Sequence, residues 1–352
     1  MARRKNVALV VGATGVVGRN LLGQLLRDQA WDVIALSRRK PDLPGAFRHL
    51  SVDLLSSESL ASIQGALADV THVFYAAYVE KPTWADMVEP NLRMLSNLMA
   101  VLEPVASGLR HVSLMQGTKW YGNHLGPFKI PAKESDPRHM PPNFYYDQHD
   151  YIVGLQRGKA WSWSAARPHA VCGFAHGNPM NLVIVLAVYA SISRALGLPL
   201  RHPGSEASAR SLYNVTDSGL LARASIWMAT DERAANEAFN ITNGDVFRWQ
   251  SLWSDIAHDF GMDVAPPQKI DLVQMMADKK TLWEDLVRRH DLQPIPYGQL
   301  VSWAYGDYVF AAEYDVISST TKARQFGFTE AQDSTEMFLR HFDELRRARI
   351  IP

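Results

Sequence analysis

Gly12, Gly15 and Gly18 stand in GATGVVG, after the apolar run Val7–Val11 and before a helical pattern. Pyrophosphate bound where a strand turns into a helix needs close backbone approach and free N–H groups, which glycines at this spacing supply. Gly12 would permit the turn, Gly15 the approach and Gly18 the contact between helix and strand. Thr14, Val16 and Val17 would complete the loop. A glycine triplet is also compatible with a plain tight turn; the strand before it and the amphipathic helix after it favour a dinucleotide site. Cofactor choice falls at the end of the second apolar run, where an acid usually meets the adenosine ribose. Here the chain reads ALSRR. Ser37, Arg38 and Arg39 offer hydrogen bonds and positive charge to a 2′-phosphate, so NADPH is expected over NADH, unless the two arginines are merely solvated. Asp53 could accept from the adenine amino group or simply cap a turn. Leu54, Ala76 and Ala77 are expected to flank the cofactor.

A reductase of this kind usually carries Tyr-x-x-x-Lys, which puts phenol and ammonium on adjacent helical turns. No tyrosine here has lysine four residues later. Lys119, in LMQGTKWYG, follows an apolar run, and Tyr145, in PNFYYDQHDY, opens the next helical pattern. A strand end and a helix start could bring the two together. Read alone, the lysine could equally be solvated and the tyrosine pair could be packing.

With these residues the chain resembles the progesterone 5β-reductase/iridoid synthase-like family of atypical short-chain dehydrogenases/reductases. The resemblance runs through the glycine turn, Arg38–Arg39, QGTKWYG, NFYYD, Arg167–Pro168, Met180–Asn181–Leu182 and EAFNITNGDVFRW. It implies NADPH-dependent reduction of the activated double bond of an enone or enal. By position it places the family's lysine on Lys119 and its tyrosine on Tyr145, with Tyr146 structural. Hydride would add to the β-carbon while Tyr145 hydrogen-bonds the developing enolate oxygen. Lys119 would hold the nicotinamide ribose and lower the phenol's pKa, and the α-carbon proton would come from water. Two positions depart from the family: His149 where an acid is expected, and Tyr78 in place of a tryptophan. Expected substrate-wall residues are Tyr78, Trp84, Trp120, Phe128, Met180 and Phe310, although each could belong to the core. An apolar wall suggests a lipophilic unsaturated carbonyl compound. The same tyrosine could instead protonate a ketone or aldehyde in ordinary carbonyl reduction, and a non-catalytic NADPH sensor is a third reading.

These groups need a scaffold. Apolar runs at Val7–Val11, Val33–Leu36, Leu50–Val52, Val73–Tyr75, Val112–Met115, Trp161–Ala166 and Ala238–Thr242 alternate with helical periodicity, the mark of a parallel sheet. Val17, Leu21, Leu22, Leu25 and Leu26 share one helical face. The stretch from Trp120 to Pro142 reads as irregular, and a helix is expected from about Asn143. Further helices are expected at Leu182–Ala190, Trp249–Phe260, Leu272–Arg289 and Ser334–Arg346. The fold class is therefore α/β: a Rossmann-type parallel sheet with helices on both faces and a smaller, mainly helical C-terminal lobe. The expected division is 1–175, with a returning segment at about 212–245, for NADPH, and 176–211 with 246–352 for substrate.

Composition sets the boundaries. The 352 residues carry 36 Lys plus Arg against 36 Asp plus Glu, so no global field favours nucleic acid or an anionic membrane. Leu182–Ala190 is too short to span a bilayer, and could face a pocket, the core or a second subunit, which leaves a homodimer open. MARRKNVALVVGATG imitates a signal peptide but runs directly into the glycine turn, so a first strand is the better reading. The single cysteine, Cys172, suits a reducing cytoplasm. No zinc-type Cys/His spacing or H-E-x-x-H occurs, so no metal is expected.

Overall fold

Along the first strand, β1 (Asn6–Val11), successive side chains enter different cores: Leu9 and Val11 pack on one side, Ala8 and Val10 on the other. A strand buried on both faces reads as a continuous apolar run, as in parallel sheets covered by helices. The other strands of its sheet are β2 (Trp31–Ser37), β3 (Arg48–Ser51), β4 (His72–Tyr75), β5 (His111–Met115), β6 (Ser162–Pro168) and β7 (Glu237–Ile241). They form a seven-stranded sheet in the order β7-β6-β5-β4-β1-β2-β3, every neighbouring pair parallel. This computed structural model describes residues 5–175, 177–178 and 180–352. The basic start of the chain and His176, the first residue of the expected substrate unit, lie outside the described residues.

Two helical layers cover the sheet. α1 (Val16–Arg27) buries Leu21, Leu22 and Leu25 on one face, beside Ala222 and Ala229 of a helix from the returning segment. On the other face α2 (Trp84–Leu102) contributes Leu95, Leu98 and Leu102, and α3 (Phe144–Gln156) contributes Ile152. A separate core gathers the C-terminal helices around α4 (Leu182–Ala195), in which every residue from Leu182 to Ser193 is buried. That helix faces Trp249, Trp253, Phe338 and Phe342, so of its three expected surroundings it takes the core. The returning segment supplies α5 (Ser218–Thr230) and β7 to the sheet layers. α6 (Trp249–Asp259), α7 (Lys280–Arg289), α8 (Trp303–Phe310) and α9 (Ser334–Arg347) follow.

One expected helix differs. Leu272–Arg289 breaks into Leu272–Met275 and α7. The Tyr297 hydroxyl donates to the Met276 carbonyl (3.1 Å), which a continuous helix would offer to the amide four residues on. Among the described residues no helix is long and apolar enough to cross a membrane, and no His/Cys/Asp/Glu group could hold a metal ion.

Asp217 ties the returning segment to the last helix. Its carboxylate caps α5 at the Leu220 amide (2.7 Å) and receives Arg340 (2.7 Å) and His341 (3.2 Å) of α9. Burial opposes ionisation of Asp217, but hydrogen bonds from His341, Leu220 and Arg340 hold it far below the usual carboxylate range. His341 is lowered by burial yet raised overall by its bonds to Asp217 and Glu344. The His341 contribution is therefore complete below an unfolded pKa of about 6.5 and is lost as pH rises through the raised value. The Asp217 contribution is present above about 3.9 and is lost as pH falls through the depressed value. Asp217→Asn keeps a helix cap but breaks the buried pair, and should lower unfolding free energy by about 3 kcal/mol at pH 5.5, with a smaller deficit at pH 8. Urea titrations at the two pH values measure this; equal deficits would reject the His341 linkage.

Candidate active site

The C-terminal ends of β1, β2, β3, β4, β5 and β6 open into one cleft of about 860 Å³. β1 lies between β2 and β4, so chain order reverses there, at the switch point where open α/β sheets bind ligands. Gly12, Thr14, Gly15, Val16 and Val17 line the cleft from the first turn. Gly12 has φ +81°, and a Cβ on it would come within 2.8 Å of the Ala76 backbone, so only glycine fits. A Cβ at Gly18 would lie 2.2 Å from the Gly12 carbonyl oxygen. Gly18 accordingly packs beneath the turn and does not line the cleft. At Gly15 a Cβ would meet only the Gly12 oxygen, at 3.6 Å, and otherwise enter the cleft. Gly15 caps α1 with no side-chain hydrogen bond, and no acid occupies the first helical turn. That open helix end and the space beside Gly15 fit a pyrophosphate.

Ser37 and Arg38 line the next strand end, and Arg38 is exposed with no carboxylate partner among the described residues. The Ser37 hydroxyl donates to the Arg39 carbonyl (2.7 Å), so it shapes the turn. Arg39 does not line the cleft; its Nη2 would lie 3.4 Å from a Cβ on Gly177. Asp53 and Leu54 line the cleft after β3, and one Asp53 oxygen accepts from the Leu55 amide (3.0 Å). The other oxygen has no hydrogen-bond partner among the described residues and faces solvent. Ala76 and Ala77 line it after β4.

Lys119 and Tyr145 both line this cleft. Lys119 sits in a short turn, Thr118–Tyr121, after β5, and Tyr145 sits in the first turn of α3. One buried side chain joins them: Asn143 donates from Nδ2 to the Lys119 carbonyl (2.9 Å) and accepts at Oδ1 from the Tyr145 amide (3.1 Å). Beside it the Tyr146 hydroxyl donates to the Trp120 carbonyl (2.7 Å). The Lys119 ammonium lies over the Trp84 ring at 4.3 Å, with Tyr308 at 5.7 Å. Burial lowers its pKa and Glu80 partly opposes this. The Tyr145 phenol does not show the expected depression: burial, then Tyr308 and Glu80, push it upward. Tyr145 is thus a neutral hydrogen-bond donor. His169 is also neutral, lowered to about 3 by burial and then by Lys119.

Of the expected wall residues, Tyr78, Trp84 and Met180 line the cleft, and Tyr78 stacks on Phe144 at 5.7 Å. Trp120, Phe128 and Phe310 do not. Trp120 is buried under the Arg167 guanidinium at 3.7 Å and edge-on to Tyr146, holding a buried cation. Phe128 packs between that cluster and the helical core. Phe310 lies in the helical core against Trp249 and Trp253. Tyr308, two residues earlier on α8, lines the cleft instead. Two helical residues differ by about 200°, so the sequence reading chose the right helix and the wrong face. The same phase brings in Tyr305, three residues before Tyr308. Sequence reading also missed Asn143, Phe144, Glu80, His169 and Tyr213; of these only Asn143 left a signal, as an N-cap residue before a helix. His149 lies outside the cleft, edge-on to Trp120 and Trp163, lowered to about 4 by burial and then by Arg167 and Arg138.

Comparison with known proteins gives the same outline. A family profile described as a PRISE-like Rossmann-fold domain matches residues 8–352. A protein of Arabidopsis thaliana named 3-oxo-Delta(4,5)-steroid 5-beta-reductase is 34% identical over 370 residues, covering 99% of this chain and 94% of the relative. An (S)-8-oxocitronellyl enol synthase of Nepeta racemosa is 33% identical over 366 residues, with 99% and 94% covered. Among solved structures, a UDP-glucose 4-epimerase of Thermotoga maritima shares the fold, with a TM-score of 0.68, 16% identity, and 97% of this chain and 99% of that one covered.

The Asn143 bridge can be tested by itself. Serine still caps the helix but cannot reach the Lys119 carbonyl, so Asn143→Ser should change global stability by about 1 kcal/mol or less. Amide exchange should rise in the turn from 118 to 122 and stay unchanged in the body of α3. Unaltered exchange in that turn would show that the bridge does not hold it.

Proposed function

Because the chain belongs to the PRISE-like family of Rossmann-fold proteins, we propose that it is an NADPH-dependent oxidoreductase that saturates the activated carbon–carbon double bond of α,β-unsaturated carbonyl compounds. The observation that carries this reading is the meeting of Lys119 and Tyr145 in one cleft, bridged by Asn143, without Tyr-x-x-x-Lys. The residues of 1–175 and about 212–245 build the nucleotide unit, which also brings Tyr78, Trp84 and Tyr145 to the substrate, and those of 176–211 and 246–352 build the substrate lobe.

When bound, NADPH supplies the hydride that adds to the β-carbon. The Gly12–Val17 turn takes the pyrophosphate, and Arg38 the 2′-phosphate, as a guanidinium with no competing carboxylate. Tyr145 acts as a phenol, not a phenolate. Its hydroxyl donates to the substrate carbonyl oxygen, where negative charge develops, and its raised pKa keeps the proton in place at neutral pH. Lys119 adds positive charge beside that oxygen and hydrogen bonds to the nicotinamide ribose. Its ammonium stays charged against the aromatic faces of Trp84 and Tyr308. Water reaches the α-carbon from the open side of the cleft, where Tyr78 is 42% exposed. The buried thiol of Cys172 accords with a reducing cytoplasm.

The purified protein should convert cyclic enones and enals to saturated carbonyl products with NADPH. Allylic alcohols as products, or activity confined to saturated ketones and aldehydes, would replace this reading with carbonyl reduction. Tyr145→Phe should cut turnover roughly a hundredfold or more while sparing NADPH binding. Turnover should be flat around neutral pH, then fall on the alkaline side as Lys119 loses its proton below the usual lysine range; an acid-side limb near neutrality would contradict the phenol assignment. Arg38→Ala should weaken NADPH about tenfold or more with little effect on NADH, measured by fluorescence titration. Equal weakening of both would remove the 2′-phosphate contact.

A further inference from the structure

Asn143 fixes the backbone of Lys119, but among the described residues no hydroxyl, carbonyl or carboxylate receives the ammonium. A lysine head is a point charge on a flexible four-carbon stem, so another contact must give it direction. The contacts present are aromatic. The ammonium lies 4.3 Å from the centre of the Trp84 ring and 5.7 Å from that of Tyr308. Both rings are supported by the segment just beyond the lysine turn. His124 packs against Trp84 with ring centroids 4.6 Å apart. Asn123 accepts the Tyr314 hydroxyl on its carbonyl (2.7 Å) and sets its side chain beside Tyr308. Trp84 opens α2, where the Thr83 hydroxyl caps the helix at the Asp86 amide (3.2 Å). The charges around the ammonium leave the rings to it. His124 and His169 are neutral, lowered to about 4 and about 3 by burial first and then by Lys119. The Tyr145 and Tyr308 phenols keep their protons, and Glu80 stands exposed at the margin. The Nδ1 atom of His124 is buried without a hydrogen bond among the described residues, so packing against Trp84 is what its ring contributes there.

We propose that Trp84, backed by His124 and assisted by Tyr308, is the positioning residue of Lys119, an aromatic holder that aims the ammonium where the helical repeat of Tyr-x-x-x-Lys would otherwise aim it. A ring face attracts a cation most when water is excluded, and here the same burial that disfavours the charge strengthens that attraction. The inference rests on the reading of Lys119 as the cation of the reaction. It also changes the part given to Trp84: the face over which the ammonium lies is not open to an apolar substrate, so this residue acts on the reaction through Lys119.

The test reads the proton affinity of Lys119 in the full chain. Acetic anhydride labels only the unprotonated amine, so labelling of Lys119 against pH, followed by mass spectrometry of its peptide, gives a midpoint with no substrate present. Leucine at position 84 keeps the site apolar but removes the ring, so Trp84→Leu should move that midpoint down by about one pH unit, the loss of a partly desolvated cation–π contact. Trp84→Phe should restore most of it, and His124→Leu should move it the same way by less. In turnover the alkaline limb should follow the labelling midpoint of each variant, with kcat falling more than the KM for a cyclic enone rises. An unmoved midpoint with only a raised KM would return Trp84 to the apolar wall, and an upward shift would make it a mere shield against water; either overturns the proposal. If no enone is reduced, the reductase reading falls, while the labelling midpoints still decide whether Trp84 holds Lys119.

Discussion

Two hydrogen bonds from one side chain set the geometry of the cleft. In a helix that carries Tyr-x-x-x-Lys, the 3.6-residue repeat puts phenol and ammonium on the same face without further help. Here Lys119 and Tyr145 belong to separate elements, and their relation depends on how firmly the turn after β5 is held to the start of α3. Asn143 holds it by making the helix cap and the tether to Lys119 the same amide group. A residue that only capped would leave the turn loose, and one that only tethered would leave the helix end open. Tyr146 fixes the next carbonyl, and Arg167, bonded to Gln116 (3.0 Å) and Tyr121 (3.1 Å) and covered by Trp120, holds the turn from below. A guanidinium is buried there with hydrogen bonds and an aromatic face, as burial of a charge requires.

How far this could be read from sequence follows from the kind of constraint each residue obeys. The glycine turn was legible because its requirement is backbone geometry: Gly12 at positive φ and Gly18 against a carbonyl leave no room for a Cβ. The strands were legible because burial on both faces gives continuous apolar runs. The wall was legible only in part: Tyr78, Trp84 and Met180 line the cleft, whereas Trp120, Phe128 and Phe310 do not. Phe310 and Tyr308 are both large and close in sequence, and only the phase of α8 against the helical core decides which one meets the cleft. Trp120 has the composition of a ligand wall and serves as the cover of a buried cation. The depression of the Tyr145 phenol failed for a related reason: nearness to a lysine in the sequence argument said nothing about burial, which dominates here.

Burial also explains the electrostatic character of the cleft. It strips the proton from His169 and keeps the protons on Tyr145, Tyr213, Tyr305 and Tyr308, the last raised to about 12 by burial and then Tyr314. Among the described residues, what remains near the reacting position is one cation, Lys119, among neutral donors, with the exposed Glu80 at the margin. Such a site stabilises a developing oxyanion without passing a proton through the phenol, which matches addition to a β-carbon better than it matches chemistry that must protonate an oxygen.

The returning segment gives the substrate end its rigidity. Tyr213 precedes Thr216, whose hydroxyl accepts from the His169 amide (3.0 Å) and donates to the Ile241 carbonyl (2.9 Å). Thr216–Asp217 pairs with Val171–Cys172, and Asp217 then locks α5 to α9. Within a few residues the chain therefore presents a phenol to the cleft, clamps the exit of β6 and anchors the last helix. The Tyr213 ring itself stands edge-on to His169 (4.8 Å) and packs on Phe247 and Trp249, so it is held in one orientation at the cleft wall. Preorganisation of this kind trades adaptability for direction: the same few residues that close the sheet layer against the helical core also fix this end of the cleft wall in place.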